Sequence, residues 1–85
     1  MKVKIYDTHV NTSNGNYYHF DVVVEEATQE EVQIFAIKYL STLGVNDFEI
    51  EQKRCLFCHE EILDTNLHDV IKKDKHFIIP MQGCK

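Results

Sequence analysis

The folding of this chain is restricted most strongly by one dipeptide, Asn14-Gly15. It lies between two runs rich in β-branched and aromatic residues, at residues 2–10 and 17–25. Asn-Gly between two such runs is a strong hairpin signal, because a type I′ turn needs a positive φ at both of its central positions. The sequence therefore predicts an N-terminal β-hairpin.

A two-residue loop at Asn14-Gly15 predicts the register of this hairpin as well. It pairs Val10 with His19 and Thr8 with Asp21, and side chains then alternate between the two faces. The predicted core face carries Val3, Ile5, Tyr18, Phe20, Val22 and Val24, with Asp7 and His9 among them. The opposite face is more polar and carries Lys4, Tyr6, Thr8, Val10, His19, Asp21 and Val23.

Residues 28–43 have the pattern of an amphipathic α-helix. Thr28 followed by Glu31 fits a capping box, in which each side chain accepts a hydrogen bond from the other residue's amide. Gly44 is a typical residue to end the helix. Between these signals, apolar residues repeat at helical spacing: Val32, Phe35, Ala36, Tyr39, Leu40 and Leu43.

The second half of the chain predicts two more strands and one short helix. A strand at residues 47–54 precedes a helix that begins at Asp64 or Thr65 and ends near Asp74. The last strand covers residues 76–81, and Pro80, which lacks an amide hydrogen, places it at a sheet edge or ends it. Right-handed crossovers through both helices would make the second, third and fourth strands parallel. We therefore expect an α+β fold of order β-β-α-β-α-β, with a mixed four-stranded sheet, over residues 1–85 as a single domain.

Composition restricts the classes of function. The chain has 85 residues, of which 44% are hydrophobic and 27% charged, as expected for one globular domain. Its net charge of −5 argues against binding to nucleic acid and against electrostatic attachment to a membrane. No apolar run has the length of a membrane span, and the N-terminus does not resemble a signal peptide, so we expect a cytoplasmic location.

Three cysteines carry the clearest chemical signal. Cys55 and Cys58 follow the predicted third strand, and Cys84 follows the fourth. If these strands are parallel, their ends meet at one sheet edge, and His59 lies near enough to supply a fourth ligand. Three thiolates and an imidazole form a common closed tetrahedral zinc site. The sequence thus predicts a small zinc-stabilised binding or regulatory module, not an enzyme, because a closed site has no open position for a substrate.

Other interpretations of these features stay open. The same Cys55-x-x-Cys58 spacing occurs in thiol redox proteins, although there it begins a helix, whereas the helix cap here comes several residues later. All three thiols can also be inert and buried. A metal-free interaction scaffold is the third alternative, because Ile34 and Ile37 lie on the polar side of the predicted helix. They are either scattered surface residues or a face for a homodimer or a protein partner.

A second group of residues with potential chemistry consists of histidines. We expect His9, His19 and His76 at the sheet edge opposite the cysteines, with Asp21 and Thr8 beside His19. An imidazole next to a carboxylate can act as a base and its orienting partner, and three imidazoles can hold a catalytic metal. The alternative is that these are ordinary polar residues of solvent-exposed strands.

Four segments of the chain together resemble a known family. They are Tyr6-Asp7-Thr8, His19-Phe20-Asp21-Val22, Cys55-Leu56-Phe57-Cys58-His59 and Met81-Gln82-Gly83-Cys84. In this order they resemble the domain-of-unknown-function family 2024, whose members are small and mainly bacterial. The resemblance covers nearly the whole chain and implies a compact α/β domain. It implies no activity, substrate or catalytic residue.

Overall fold

The computed structural model describes residues 3–54 and 65–83 of the chain. The described elements are β1 Lys4–Thr12, β2 Tyr17–Val24, α1 Gln29–Thr42, β3 Phe48–Arg54, α2 Thr65–Asp74 and β4 Phe77–Gln82. The predicted α+β class and the order β-β-α-β-α-β are confirmed. Neither of these two helices is long and apolar enough to cross a membrane.

The four strands form one sheet in the order β3-β1-β2-β4, and every neighbouring pair is antiparallel. The prediction of a mixed sheet with β2, β3 and β4 parallel is therefore wrong. β2 and β3 do run in the same direction, but β1 lies between them, and β4 runs opposite to β2. Residues 55–64 separate β3 from α2, and a stretch of this length can span about 33 Å when extended. The rule that a short crossover joins parallel strands therefore does not determine the direction of β4. β4 is an edge strand, as Pro80 indicated.

The hairpin turn has three residues instead of the predicted two. The amide of Gly15 donates to the Thr12 carbonyl at 3.1 Å, and the amide of Thr12 donates to the Asn16 carbonyl at 2.9 Å. Of the pair Asn14-Gly15 only the glycine has a positive φ, +86°. A β-turn followed by one left-handed glycine is the usual form of a three-residue hairpin loop. The type I′ turn was the wrong choice because Asn14 does not take the left-handed conformation.

This longer loop shifts the register by one residue and changes the two faces of the sheet. Tyr6 lies opposite Val22, and Thr8 lies opposite Phe20, so the even-numbered residues of both strands share a face. The predicted faces of β1 were therefore wrong, because a one-residue slip exchanges every side chain of a strand between faces. The face that packs on α1, here called the α1 face, includes Tyr6, Thr8, Val10, Phe20 and Val22. The other face, here called the α2 face, includes Ile5, Asp7, His9, His19, Asp21 and Val23.

The main core lies between the α1 face and helix α1. The capping box at Thr28 and Glu31 is present, and Gly44 has a φ of +77°, so the predicted start and end signals are confirmed. The helix buries Val32, Ala36 and Leu40 against the sheet, and the ring of Tyr39 contacts that of Phe20 edge-on at 4.9 Å. Ile34 and Ile37 point away from this core and are exposed.

A smaller core covers one end of the α2 face. Ile71 of α2 packs there against Val3, Ile5, Val23 and Phe77. The other end of the α2 face, towards the hairpin turn, carries the polar side chains of Asp7, His9 and His19. These three side chains are 42%, 37% and 25% exposed respectively, so that end of the sheet is partly accessible to solvent.

Candidate functional site

Two histidines and one aspartate meet on the open end of the α2 face. His9 of β1 lies directly opposite His19 of β2, and their rings stack with centroids 4.3 Å apart and planes 12° from parallel. Asp7 precedes His9 by two residues, so strand alternation places its side chain on the same face. The local pattern is thus Asp-x-His on one strand with a histidine across from it on the next.

The carboxylate of Asp7 joins the two imidazoles. One of its oxygens lies 2.9 Å from Nε2 of His9, and the other lies 2.5 Å from Nε2 of His19. On the far side of the His9 ring, Nδ1 contacts the hydroxyl of Tyr17. The Tyr17 ring also stacks on His9, with centroids 5.8 Å apart. Each Nε2 therefore has its own carboxylate oxygen, and His9 is held from both sides.

The charge state of Asp7 determines which atoms carry protons. Partial burial raises the pKa of Asp7, but the hydrogen bonds from His19 and His9 and their positive charges outweigh it, so that pKa lies below its usual value of 3.8. An ionised carboxylate only accepts hydrogen bonds, so Nε2 of each histidine must carry the hydrogen that it donates. In a neutral His9 the remaining nitrogen, Nδ1, then accepts a hydrogen bond from the Tyr17 hydroxyl.

This arrangement has the donor atoms of a metal centre. One ligand atom each from Asp7, His9 and His19 lies within 4.8 Å of the other two. Donors that share a tetrahedral ion at 2.0–2.2 Å are roughly 3.3 Å apart. Because the two imidazole planes are only 12° from parallel, both rings would have to turn for their Nε2 lone pairs to meet at one ion. Two imidazoles and one carboxylate form the ligand set of many transition-metal sites. Tyr17 occupies the place of an outer hydrogen-bond partner, which in such sites fixes the orientation of a ligating histidine.

Charged residues of β3 border the cluster. Glu51 lies opposite His9 in the register, and Lys53 lies opposite Asp7. The Lys53 ammonium is 3.7 Å from the Glu51 carboxylate, and both side chains are mostly exposed, which makes this a weak surface pair. On the other side, Asp21 of β2 lies opposite Asp7.

The residues predicted for the cysteine site lie outside the described residues: Cys55, Cys58, His59 and Cys84. One premise of that prediction was wrong, because β3 and β4 are not parallel and occupy opposite edges of the sheet. The Cys-x-x-Cys spacing remains as its support. The zinc site and the redox alternative therefore both stay predictions.

The predicted histidine group is only partly assembled. His9 and His19 come together, but His76 stacks on Phe35 of α1, with ring centroids 4.2 Å apart. Thr8 is fully buried on the α1 face, where its hydroxyl donates to the Tyr6 carbonyl at 3.1 Å. The register shift explains the change at Thr8, because it moves Thr8 away from His19 and moves Asp7 and His9 towards it.

Sequence reasoning missed Asp7 and Tyr17 as members of the site. The signal was nevertheless present, because Asp7-x-His9 and Tyr17-x-His19 are two polar pairs at the period of a β-strand. Only a correct hairpin register reveals that these pairs share a face. The two-residue loop placed His9 and His19 on opposite faces.

The described residues thus form a small α+β fold with an antiparallel four-stranded sheet and a histidine–aspartate cluster on one partly exposed face. The chain belongs to the family described as a domain of unknown function, DUF2024, whose model matches residues 1–81. The predicted resemblance is thereby confirmed. Comparison with curated proteins gives no significant match.

A solved structure supports the same fold. The chain is similar to protein NE1680 from Nitrosomonas europaea, whose NMR structure aligns with a TM-score of 0.79. The two sequences are 28% identical, and the alignment covers 100% of both chains. The likeness therefore extends over the full length of this domain.

Proposed function

We propose that this chain is a metal-binding protein that holds Zn²⁺, or a divalent ion of similar preference, through Asp7, His9 and His19. One observation carries the proposal: the Nε2 atoms of two stacked histidines converge on the two oxygens of one ionised carboxylate. In the metal-free protein the Nε2 hydrogens fill the space between these donors. A metal ion would take the place of those hydrogens between the same three side chains. The ring hydrogen of each neutral histidine would then move to Nδ1, where the hydroxyl of Tyr17 can accept it from His9.

The type of donor favours a transition metal over a hard cation. Imidazole nitrogen suits Zn²⁺, Cu²⁺, Fe²⁺ and Ni²⁺, whereas Mg²⁺ and Ca²⁺ prefer sites made of oxygen ligands. Three protein ligands also leave at least one coordination position for water or another ligand, as in catalytic zinc sites. The proposed site thus differs from the closed cysteine site predicted from the sequence, since it can present its metal to a second molecule.

The experiment compares the two candidate metal sites in the full-length chain. The protein is stripped with a chelator, and Zn²⁺ binding is measured by calorimetry and by elemental analysis. We expect His9→Gln and His19→Gln each to weaken Zn²⁺ binding by about a hundredfold or more, since loss of an outer partner alone costs about 10–100-fold. His68→Gln, which removes a histidine from α2, serves as the matched control.

A double substitution, Cys55→Ser with Cys58→Ser, tests the rival site. Under the proposal it leaves Zn²⁺ affinity at Asp7, His9 and His19 unchanged. Absorption of the Co²⁺-loaded protein gives an independent measure, because thiolate ligands produce intense sulfur-to-metal charge-transfer bands and imidazole ligands do not. Loss of metal binding in the cysteine variant but not in the histidine variants would contradict the proposal and favour the cysteine site.

A further inference from the structure

A groove lies beside the candidate metal site on the α2 face. Its volume is about 360 Å³, within the range of sites that bind small molecules. Asp7 and His19 of the candidate metal site line one side of it, and Lys53 and Arg54, at the end of β3, also line it. A molecule in this groove would therefore lie beside two of the proposed metal ligands and beside two cationic side chains.

The remaining lining of the groove includes apolar surface. Ile5 is buried at the margin of the smaller core, and Met81 is 50% exposed. The register between β2 and β4 passes from Phe20–Pro80 to His19–Gln82, so Met81 is the extra residue of a bulge next to His19. Bulges redirect side chains and are frequent beside functional sites. Here the bulged residue brings a flexible apolar side chain to the groove.

The charge of the groove depends on the metal. Lys53 and Arg54 balance the two carboxylates that line it, Asp7 and Asp21, but Lys53 also pairs with Glu51 of β3, so the metal-free groove has no excess of positive charge. A divalent ion would add two positive charges beside the cations of β3. Attraction for an anion would then be much stronger in the metal-loaded protein than in the metal-free protein.

We infer that the metal-loaded groove binds a small organic monocarboxylate, with its carboxylate at the metal and its alkyl chain against Met81. This inference rests on the proposed function, because the metal supplies the positive charge that the groove otherwise lacks. Lys53 and Arg54 attract the anion and orient its carboxylate. The apolar side chains of Ile5 and Met81 favour an alkyl carboxylate over a compact inorganic anion such as phosphate.

Butyrate is a suitable probe for this site. It is titrated into Co²⁺-loaded protein while the absorption of the metal is followed, and into Zn²⁺-loaded and metal-free protein by calorimetry. We expect butyrate to change the Co²⁺ spectrum and to bind more tightly than acetate, which lacks the longer chain. Butanol, which has the chain without the charge, is expected not to bind.

Charge variants test the role of β3. Lys53→Gln and Arg54→Gln are each expected to weaken butyrate binding by about two- to fivefold, the usual range for an exposed charge pair, without weakening Zn²⁺ binding. Lys38→Gln is the matched control, since it removes the same charge from the exposed side of α1, which lies on the opposite face of the sheet. Met81→Ser is expected to reduce the preference for butyrate over acetate.

The outcomes separate failure of this inference from failure of the proposed function. If the protein binds no metal at Asp7, His9 and His19, both are wrong. If it binds metal but butyrate leaves the Co²⁺ spectrum unchanged, only the inference is wrong. Equal binding of butyrate to metal-free and metal-loaded protein, or equal effects of Lys38→Gln and Lys53→Gln, would also overturn it.

Discussion

Tyr17 shows how a single hydroxyl can organise a site in which it is not itself a ligand. Its oxygen contacts Nδ1 of His9, and its ring stacks on the same imidazole. Because Asp7 holds Nε2 on the other side, the ring of His9 is oriented at both nitrogens. An orientation fixed in advance lowers the entropy that binding a metal would cost.

We expect Tyr17→Phe to weaken Zn²⁺ binding by about tenfold while leaving the fold intact, because outer hydrogen-bond partners of ligating histidines contribute about 10–100-fold to metal affinity. Calorimetric titration of the chelator-treated protein measures this change. Tyr18→Phe removes a hydroxyl from the neighbouring residue, on the opposite face of β2, and is the control. Equal affinities for the Tyr17 and Tyr18 variants would show that the contact with His9 has no role in binding.

The pairing of strands, and not the composition of any one strand, assembles this cluster. β1 contributes Asp7 and His9, and β2 contributes His19 and Tyr17. A hairpin loop of one residue fewer would place His9 and His19 on opposite faces of the sheet. The Ser13 hydroxyl helps to anchor the observed loop, since it donates to the Asp47 carboxylate at 2.7 Å.

The end of β4 is fitted closely against the start of β2 at Gly83. Its φ is +74°, and a Cβ atom there would lie 2.3 Å from the carbonyl oxygen of Tyr17. We therefore expect Gly83→Ala to lower the free energy of unfolding by about 2–4 kcal/mol, from left-handed strain together with a clash against backbone. Denaturation by urea measures the loss.

Gly44→Ala is the matched comparison for this effect. Gly44 has a similar φ of +77°, but nothing lies within 4 Å of the position that a Cβ atom would take there. Its substitution is expected to cost only about 1 kcal/mol, the strain term alone. If Gly83→Ala and Gly44→Ala lower the free energy of unfolding equally, the close approach of Gly83 to Tyr17 does not contribute to the cost of the Gly83 substitution.

At the scale of the whole molecule, the two helices cover the sheet unequally. α1 packs along the core of one face, whereas α2 contributes Ile71 to a smaller core at one end of the other face. Neither described helix covers the other end of that face, and its polar residues are stable because water reaches them there. The uneven cover therefore explains both the location of the candidate site and its access to ligands.

The stability of the metal-free protein should depend on pH through Asp7. Its pKa is lower in the folded protein than the ordinary value of 3.8, so ionised Asp7 stabilises the fold above that value. This contribution is lost as the pH falls through the lowered pKa. Because the side chain is 42% exposed, we expect it to be less than about 1 kcal/mol.

Urea denaturation of the wild-type protein and Asp7→Asn at several pH values tests this dependence. The variant is expected to be less stable near neutral pH, and the difference is expected to shrink below about pH 4. Asp69→Asn, which removes a carboxylate from α2, is the control for the change in net charge. If the difference in stability between the wild-type protein and Asp7→Asn grows on acidification, the pKa of Asp7 is not lowered by folding.

Signals confined to a few neighbouring residues were sufficient to predict α1 and the edge position of β4. The capping box at Thr28, the end signal at Gly44 and the apolar period between them predicted α1 correctly. Pro80 indicated an edge strand, and β4 is one. These features are readable from sequence because each depends on contacts within one turn of helix or on the hydrogen bonding of one residue.

The direction of β4 and the register of the hairpin were decided by tertiary structure. Residues 55–76, which include α2, connect β3 to β4, so the direction of β4 depends on which sheet edge and which face gain the most burial, not on a local rule. The register depended on whether Ser13 joined Asn14 and Gly15 in the turn, and the longer loop also buries Tyr6 and Val10 under α1. Asp7, His9 and His19 thus come together because the core requires the opposite side chains of β1 to be inside.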